Sequence, residues 1–178
     1  MKSWNMIKYL SQIHDVGLAC PIKYGDEKIQ KMQDQIKLKD FIHSACEVPR
    51  TPVNLLKSYL RNIPLNVYRS KSNEVMEGVR AVADDYEVIL IDHYEAFQYI
   101  PPDYKGKVVF HAHNATYLMW ERFALTGSNV ALRWVARVEA FRVSRYEAQV
   151  CRRADLVFAA PNDIDMLSRL GVAKEKFA

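Results

Sequence analysis

The sequence is poor in glycine. It holds six, and none falls in a GxGxxG fingerprint or a Walker-type loop. The close backbone cradle that a dinucleotide or a nucleoside triphosphate requires is therefore not encoded here. Cysteine is scarce as well: Cys20, Cys46 and Cys151 are odd in number, widely spaced and outside any CxxC pattern. Their spacing indicates neither a disulfide framework nor a thiolate zinc site. They read as three reduced small hydrophobes of a cytoplasmic protein. No apolar run approaches the roughly 20 residues of a transmembrane helix. Met1 to Asn5 leads into an amphipathic pattern and not into the apolar core of a signal peptide. No Asn-Gly or Asp-Gly dipeptide stands ready to close a hairpin, and no serine or cysteine sits in a nucleophile-elbow context.

What is present is the composition of a folded globular chain. Of 178 residues, 49% are hydrophobic and 26% charged, enough for one ordinary domain with its own core over residues 1–178. A net charge of +4 permits an anionic partner without demanding one.

The chain opens on an amphipathic helix from Ser3 to Gln12, followed by a strand from Val16 to Cys20. The polar stretch from Ile22 to Ala45 carries a narrow stripe of Ile29, Met32, Ile36 and Phe41, which predicts a surface helix. Cys46 to Val48 reads as a short strand. Thr51-Pro52 has the form of an N-cap followed by proline at the first helical position. The helix it opens should turn Val53, Leu56, Tyr59 and Leu60 inward. Pro64 to Val67 reads as extended, and Ser72 or Asn73 caps a further helix. Glu87 to Ile91 is the clearest strand, nearly continuous and β-branched, as in a parallel strand buried on both faces. It ends in Asp92-His93-Tyr94-Glu95. A second strand over Val108 to Phe110 ends in His111-Ala112-His113-Asn114. A helix from about Ala115, a long helix from about Asn129 to Arg152, a strand from Asp155 to Ala159 and a helix opened by Pro161 complete the chain. Strands alternate with helices throughout. That predicts an α/β domain with a Rossmann-like parallel sheet and helices on both faces.

In open sheets of this kind, ligands bind at the carboxyl ends of the strands. Two adjacent strand tips carry His93 with Glu95 and His111 with His113 and Asn114. They read as a polar floor for a ligand, His113 foremost, with Asn114 also a plausible N-cap and His111 leaning towards a structural role. A zinc site needs a third ligand at a diagnostic spacing, and none is visible, so no metal is expected. The long helix sets Arg133, Arg137, Arg142, Arg145, Arg152 and Arg153 against Glu139 and Glu147. That reads as a solvated face with interspersed acids, the alternative being contact with an anionic membrane. The aromatics are not interleaved as a base-stacking surface requires, so no nucleic acid is expected.

Taken in order, NMIKYLSQIHDVGLAC, YEVILIDHYEAFQYIP, KVVFHAHNATYLMWER and RVSRYEAQVCRRADLVFAAPNDIDMLSRLGVAKEKFA resemble the amino-terminal half of a family 4 glycosyltransferase. The resemblance is weakest between about Lys23 and Ser72. It implies one half of a GT-B fold, the acceptor-side domain of a retaining enzyme. Such an enzyme transfers a hexose from a nucleotide-sugar to a glycan, lipid-linked or small-molecule acceptor, generally without a metal. The family's reaction-centre histidine falls on His113. Asn114 lies beside it, and His93 and Glu95 border the acceptor cleft. The nucleotide-sugar belongs to a carboxyl-terminal donor domain, in the same or a separate chain, which this sequence does not match.

The family's first strand and Gly-Gly loop also have no counterpart ahead of Ser3. The expectation is an internal piece or half of a split enzyme: inactive alone, marginal in stability and prone to self-association through a borrowed strand. Its expected place is the cytoplasm, at the inner face of a membrane if the Arg133–Arg153 helix makes contact. Two alternatives stay open. One is a non-catalytic scaffold subunit that pairs with a donor-domain chain. The other is a Rossmann-like hydrolase or epimerase using His111, His113 and Glu95.

Overall fold

A computed structural model describes residues 2–22, 35–46 and 48–178. It shows an α/β arrangement in which every strand pair is parallel. The first helix, α1 (Lys2–Leu10), leads to β1 (Gly17–Ile22), which pairs with β2 (Asp40–Ala45). Then come α2 (Pro52–Leu60), the short α3 (Leu65–Arg69) and α4 (Asn73–Val82). A second sheet is built from β3 (Val88–Ile91), β4 (Lys107–His111) and β5 (Leu156–Phe158), with β4 in the middle. Between β4 and β5 run α5 (Thr116–Thr126) and the long α6 (Val130–Arg153); α7 (Pro161–Ser168) follows β5. A 3-10 turn over Tyr94–Tyr99 follows β3.

Local chemistry explains many of these boundaries. Thr51 accepts a hydrogen bond from the Asn54 backbone at 3.2 Å, with Pro52 as the first helical residue. Ser72 caps α4 through Val75 N at 3.2 Å, and Asn129 caps α6 through Leu132 N at 3.1 Å. Gly171, beyond α7, takes a φ of +74°, the left-handed conformation in which glycine meets no steric penalty.

The core surrounds the three-stranded sheet. Ile91, Val108, Phe110 and Val157 are buried, and Val143, Val150 and Cys151 of α6 and Leu167 of α7 pack with them.

The structure departs from the sequence reading at six places. The expected single sheet is two sheets, with no strand pairing between β1 and β3 among the described residues. The helix expected over Ile22 to Ala45 falls partly outside the described residues, but Asp40 to Ala45 is strand, so Phe41 belongs to β2 and not to a helical stripe. The strand expected over Cys46 to Val48 also falls partly outside the described residues, and the described strand ends at Ala45. Leu65 to Arg69 is helical and not extended, because the buried Glu139 carboxylate of α6 accepts the Leu65 N–H at 2.9 Å and so satisfies the opening of the turn. On α2, Val53, Leu56 and Leu60 face solvent and Ser58 is the buried residue. Ser58 packs where Arg142 reaches its carbonyl, at 2.6 Å, so a polar contact and not the apolar stripe sets the rotation of α2. Finally, β3 is covered on one side only: Ile91 is buried, but Val88 and Leu90 are exposed.

Candidate functional site

The tips of β3 and β4 lie side by side, since Ile91 pairs with Phe110. The residue directly after β3 is Asp92, and it becomes the centre of the site. His111 Nδ1 lies 2.8 Å from Asp92 Oδ1, and His113 Nε2 lies 2.9 Å from the same oxygen. The Ser3 side chain, at the start of α1, also favours the charged Asp92 carboxylate. Partial burial works against the charged carboxylate. The influence of Ser3 and the bonds from His111 and His113 outweigh it and hold the Asp92 carboxyl below its usual value.

A charged carboxylate only accepts hydrogen bonds, so the nitrogens facing it carry hydrogens. In the neutral rings this leaves His111 Nε2 and His113 Nδ1 as lone-pair acceptors. His93 stacks on His113, ring centroids 4.4 Å apart and planes within 7°, and His111 meets His113 at 4.3 Å and 46°. His93 Nδ1 lies 3.7 Å from Glu95 Oε2. Four of the five expected residues, His93, Glu95, His111 and His113, are thus brought into one chain of contacts, with His113 between the other two imidazoles.

Asn114 follows directly and is exposed. It does not cap α5. The helix opens at Ala115 without a side-chain cap from its own loop. Its first amides are satisfied from afar: Glu147 of α6 takes the N–H groups of Thr116 at 2.8 Å and Tyr117 at 2.9 Å. Asp163 of α7 takes that of Ala115 at 2.9 Å. Two carboxylates therefore hold the loop that carries His113 and Asn114 and leave the Asn114 amide out of the capping bonds. They also fill the anion-attracting end of α5, so that helix end has no place for a ligand phosphate.

Asp92, Ser3, Glu147 and Asp163 were not among the candidate residues. Asp92 had a visible signal, an acid directly at the end of the clearest strand. Glu147 had none, because mid-helix acids are ordinarily solvated.

With Asp92 as a third donor, the ligand atoms of Asp92, His111 and His113 all lie within 4.8 Å of one another. Two imidazoles and a carboxylate are a donor set that zinc accepts. An ion there would displace both N–H bonds to Asp92. Metal-bound histidines almost always hold their second ring nitrogen with a carboxylate, carbonyl or water. No such protein partner is present for His111 Nε2 or His113 Nδ1 among the described residues. The arrangement fits a hydrogen-bonding floor better than a metal centre.

Comparison with known protein families, with curated proteins and with solved structures finds no match. Among the described residues no helix is long and apolar enough to cross a membrane. Fold and site together define a Rossmann-like α/β protein with a histidine-rich, carboxylate-anchored cluster at its strand tips.

Proposed function

We propose that this chain is the acceptor-side domain of a retaining, family 4-like glycosyltransferase. The reaction would be transfer of a hexose from a nucleotide-sugar to a glycan, lipid-linked or small-molecule acceptor. The observation that carries this reading is the convergence of Asp92, His93, His111 and His113 at the carboxyl edge of β3 and β4, where ligands of such sheets bind. A sugar offers rings of hydroxyls. His113 Nδ1 and His111 Nε2 accept from hydroxyls, the Asn114 amide both donates and accepts, and Glu95 accepts. His113 faces the reaction centre, and Asp92 sets its tautomer and ring position. The filled end of α5 favours binding of the donor phosphates elsewhere, on a donor-binding domain.

The reading is tested in two ways. Calorimetry of the chain against mono- and oligosaccharides and lipid-linked sugars should show acceptor binding that His113→Ala abolishes. In the enzyme assembled with its donor-binding domain, His113→Ala should lower turnover by about 100-fold or more while the melting temperature stays unchanged. No binding across the panel, together with unaltered turnover in the variant, would sink the assignment.

A further inference from the structure

We infer that the outward side of α6 docks on an anionic lipid bilayer. Val130, Trp134, Val138 and Phe141 recur at helical spacing and share one side of the helix. Trp134 is 62% exposed and Phe141 61%. Arg137 and Arg145 stand on the same side. The Arg137 guanidinium lies 5.2 Å from the Trp134 ring, and that of Arg145 lies 5.6 Å from the Phe141 ring. The opposite side of α6 is buried in the protein through Ala136, Glu139, Ala140 and Val143. The helix is therefore apolar on two sides while the protein covers one. Met119 and Phe123, one turn apart on the neighbouring α5, are exposed as well.

Charge decides what covers it. Glu139 and Glu147 are the only acids of α6, and both are buried, at 0% and 1% exposure. Arg142 turns inward with them, donating to Glu139 and to the carbonyls of Ser58 and Ile63. Every charge that α6 presents to solvent is consequently an arginine. Aromatic rings seated at headgroup depth, with guanidinium groups reaching lipid phosphates, match the interface of an anionic membrane. A second copy laid on the same face would bring these arginines against their own kind. A nucleic acid backbone would leave Val130 and Val138 with nothing to contact. The contact is interfacial, and it stands independently of the transferase reading.

The test is sedimentation of the full chain with phosphatidylcholine vesicles, with and without phosphatidylglycerol. The chain should sediment with the anionic vesicles only, with a blue shift of tryptophan emission that Trp134→Phe removes. Arg137→Gln with Arg145→Gln should weaken binding roughly thirtyfold. Trp134→Ser with Phe141→Ser should abolish it, with the thermal melt unchanged because both residues are exposed. Sedimentation with neither vesicle, or equally with both, would overturn the inference. So would a dimer by light scattering that Trp134→Ser with Phe141→Ser dissolves while vesicles remain unbound.

Discussion

Both sheets of this protein are parallel, yet they are held by different means. In the three-stranded sheet Val108, Phe110 and Val157 are removed from solvent and belong to one continuous core with α6 and α7. In the two-stranded sheet no residue of β1 or β2 is fully buried. That sheet is tied in by side-chain contacts. Tyr86, just before β3, donates its hydroxyl to Asp40 Oδ2 at 2.6 Å. Cys46 donates to the carbonyls of Arg69 and Lys71 at 3.3 and 3.0 Å. Gly78 of α4 lies against Ile42, where an added Cβ would come within 2.6 Å. Backbone pairing is similar in the two sheets, so the difference lies in apolar burial, the larger stabilising term. The site stands on the well-packed sheet. A polar cluster that must hold its geometry to a fraction of an ångström has the rigid half of the molecule under it.

The largest test of this contrast is to truncate one side chain in each sheet. Phe110→Ala should destabilise the protein by about 3–5 kcal/mol, measured by urea unfolding. Ile42→Ala, at a half-exposed position, should cost less than about 2 kcal/mol. Equal losses would erase the distinction.

A second test uses pH. Burial pushes the Glu147 carboxyl up to about 7, against the pull of the Tyr117 and Thr116 amides. Its value in the unfolded chain is 4.5. Between these values the folded state holds the proton more firmly than the unfolded chain. The stabilisation is complete below the lower value and is lost as the pH rises through the upper one, by about 3 kcal/mol. Denaturant midpoints at pH 5 and pH 8 should show that loss, and Glu147→Gln should flatten it. A Gln variant with the same slope would place the titration elsewhere.

Smaller effects should remain local. Tyr86→Phe removes the bond to Asp40 and should cost about 1–2 kcal/mol. Gly17→Ala should act in the same direction, since its Cβ would lie 2.5 Å from the Tyr86 hydroxyl and push it off Asp40. Hydrogen exchange should accelerate in β1 and β2 and stay unchanged in β3 to β5. Uniform acceleration would show that the two sheets unfold as one. The smallest effect concerns zinc: without outer partners on His111 and His113, stoichiometric zinc should leave the melting temperature within about 1 °C. A rise of several degrees, lost in Asp92→Asn, would make the trio a metal site.

How much of this was legible in the chain depends on the distance over which each feature is made. Thr51, Ser72 and Asn129 cap helices through amides three residues away, and the sequence states such bonds outright. The β-branched run of β3 and the histidine tips of β3 and β4 are local patterns of the same kind. Asp40 to Ala45 carries no local strand signal beside its polar, helix-favouring neighbour, and only pairing with β1 selects the strand.

Residue order alone therefore determined most of the alternation of helices and strands, the helix starts at Thr51, Ser72 and Asn129, and the placing of His93, Glu95, His111 and His113 at one sheet edge. Tertiary structure decided the rest. Glu139 reaches Leu65 across 74 positions, Glu147 reaches Thr116 across 31, and Asp92 reaches His113 across 21. Two acids that read as part of a solvated face became internal helix caps, which left α6 with an outward charge made only of arginine. A buried carboxylate is tolerable only where amides or cations meet it. Which amides those are is settled by packing, and no local pattern encodes it.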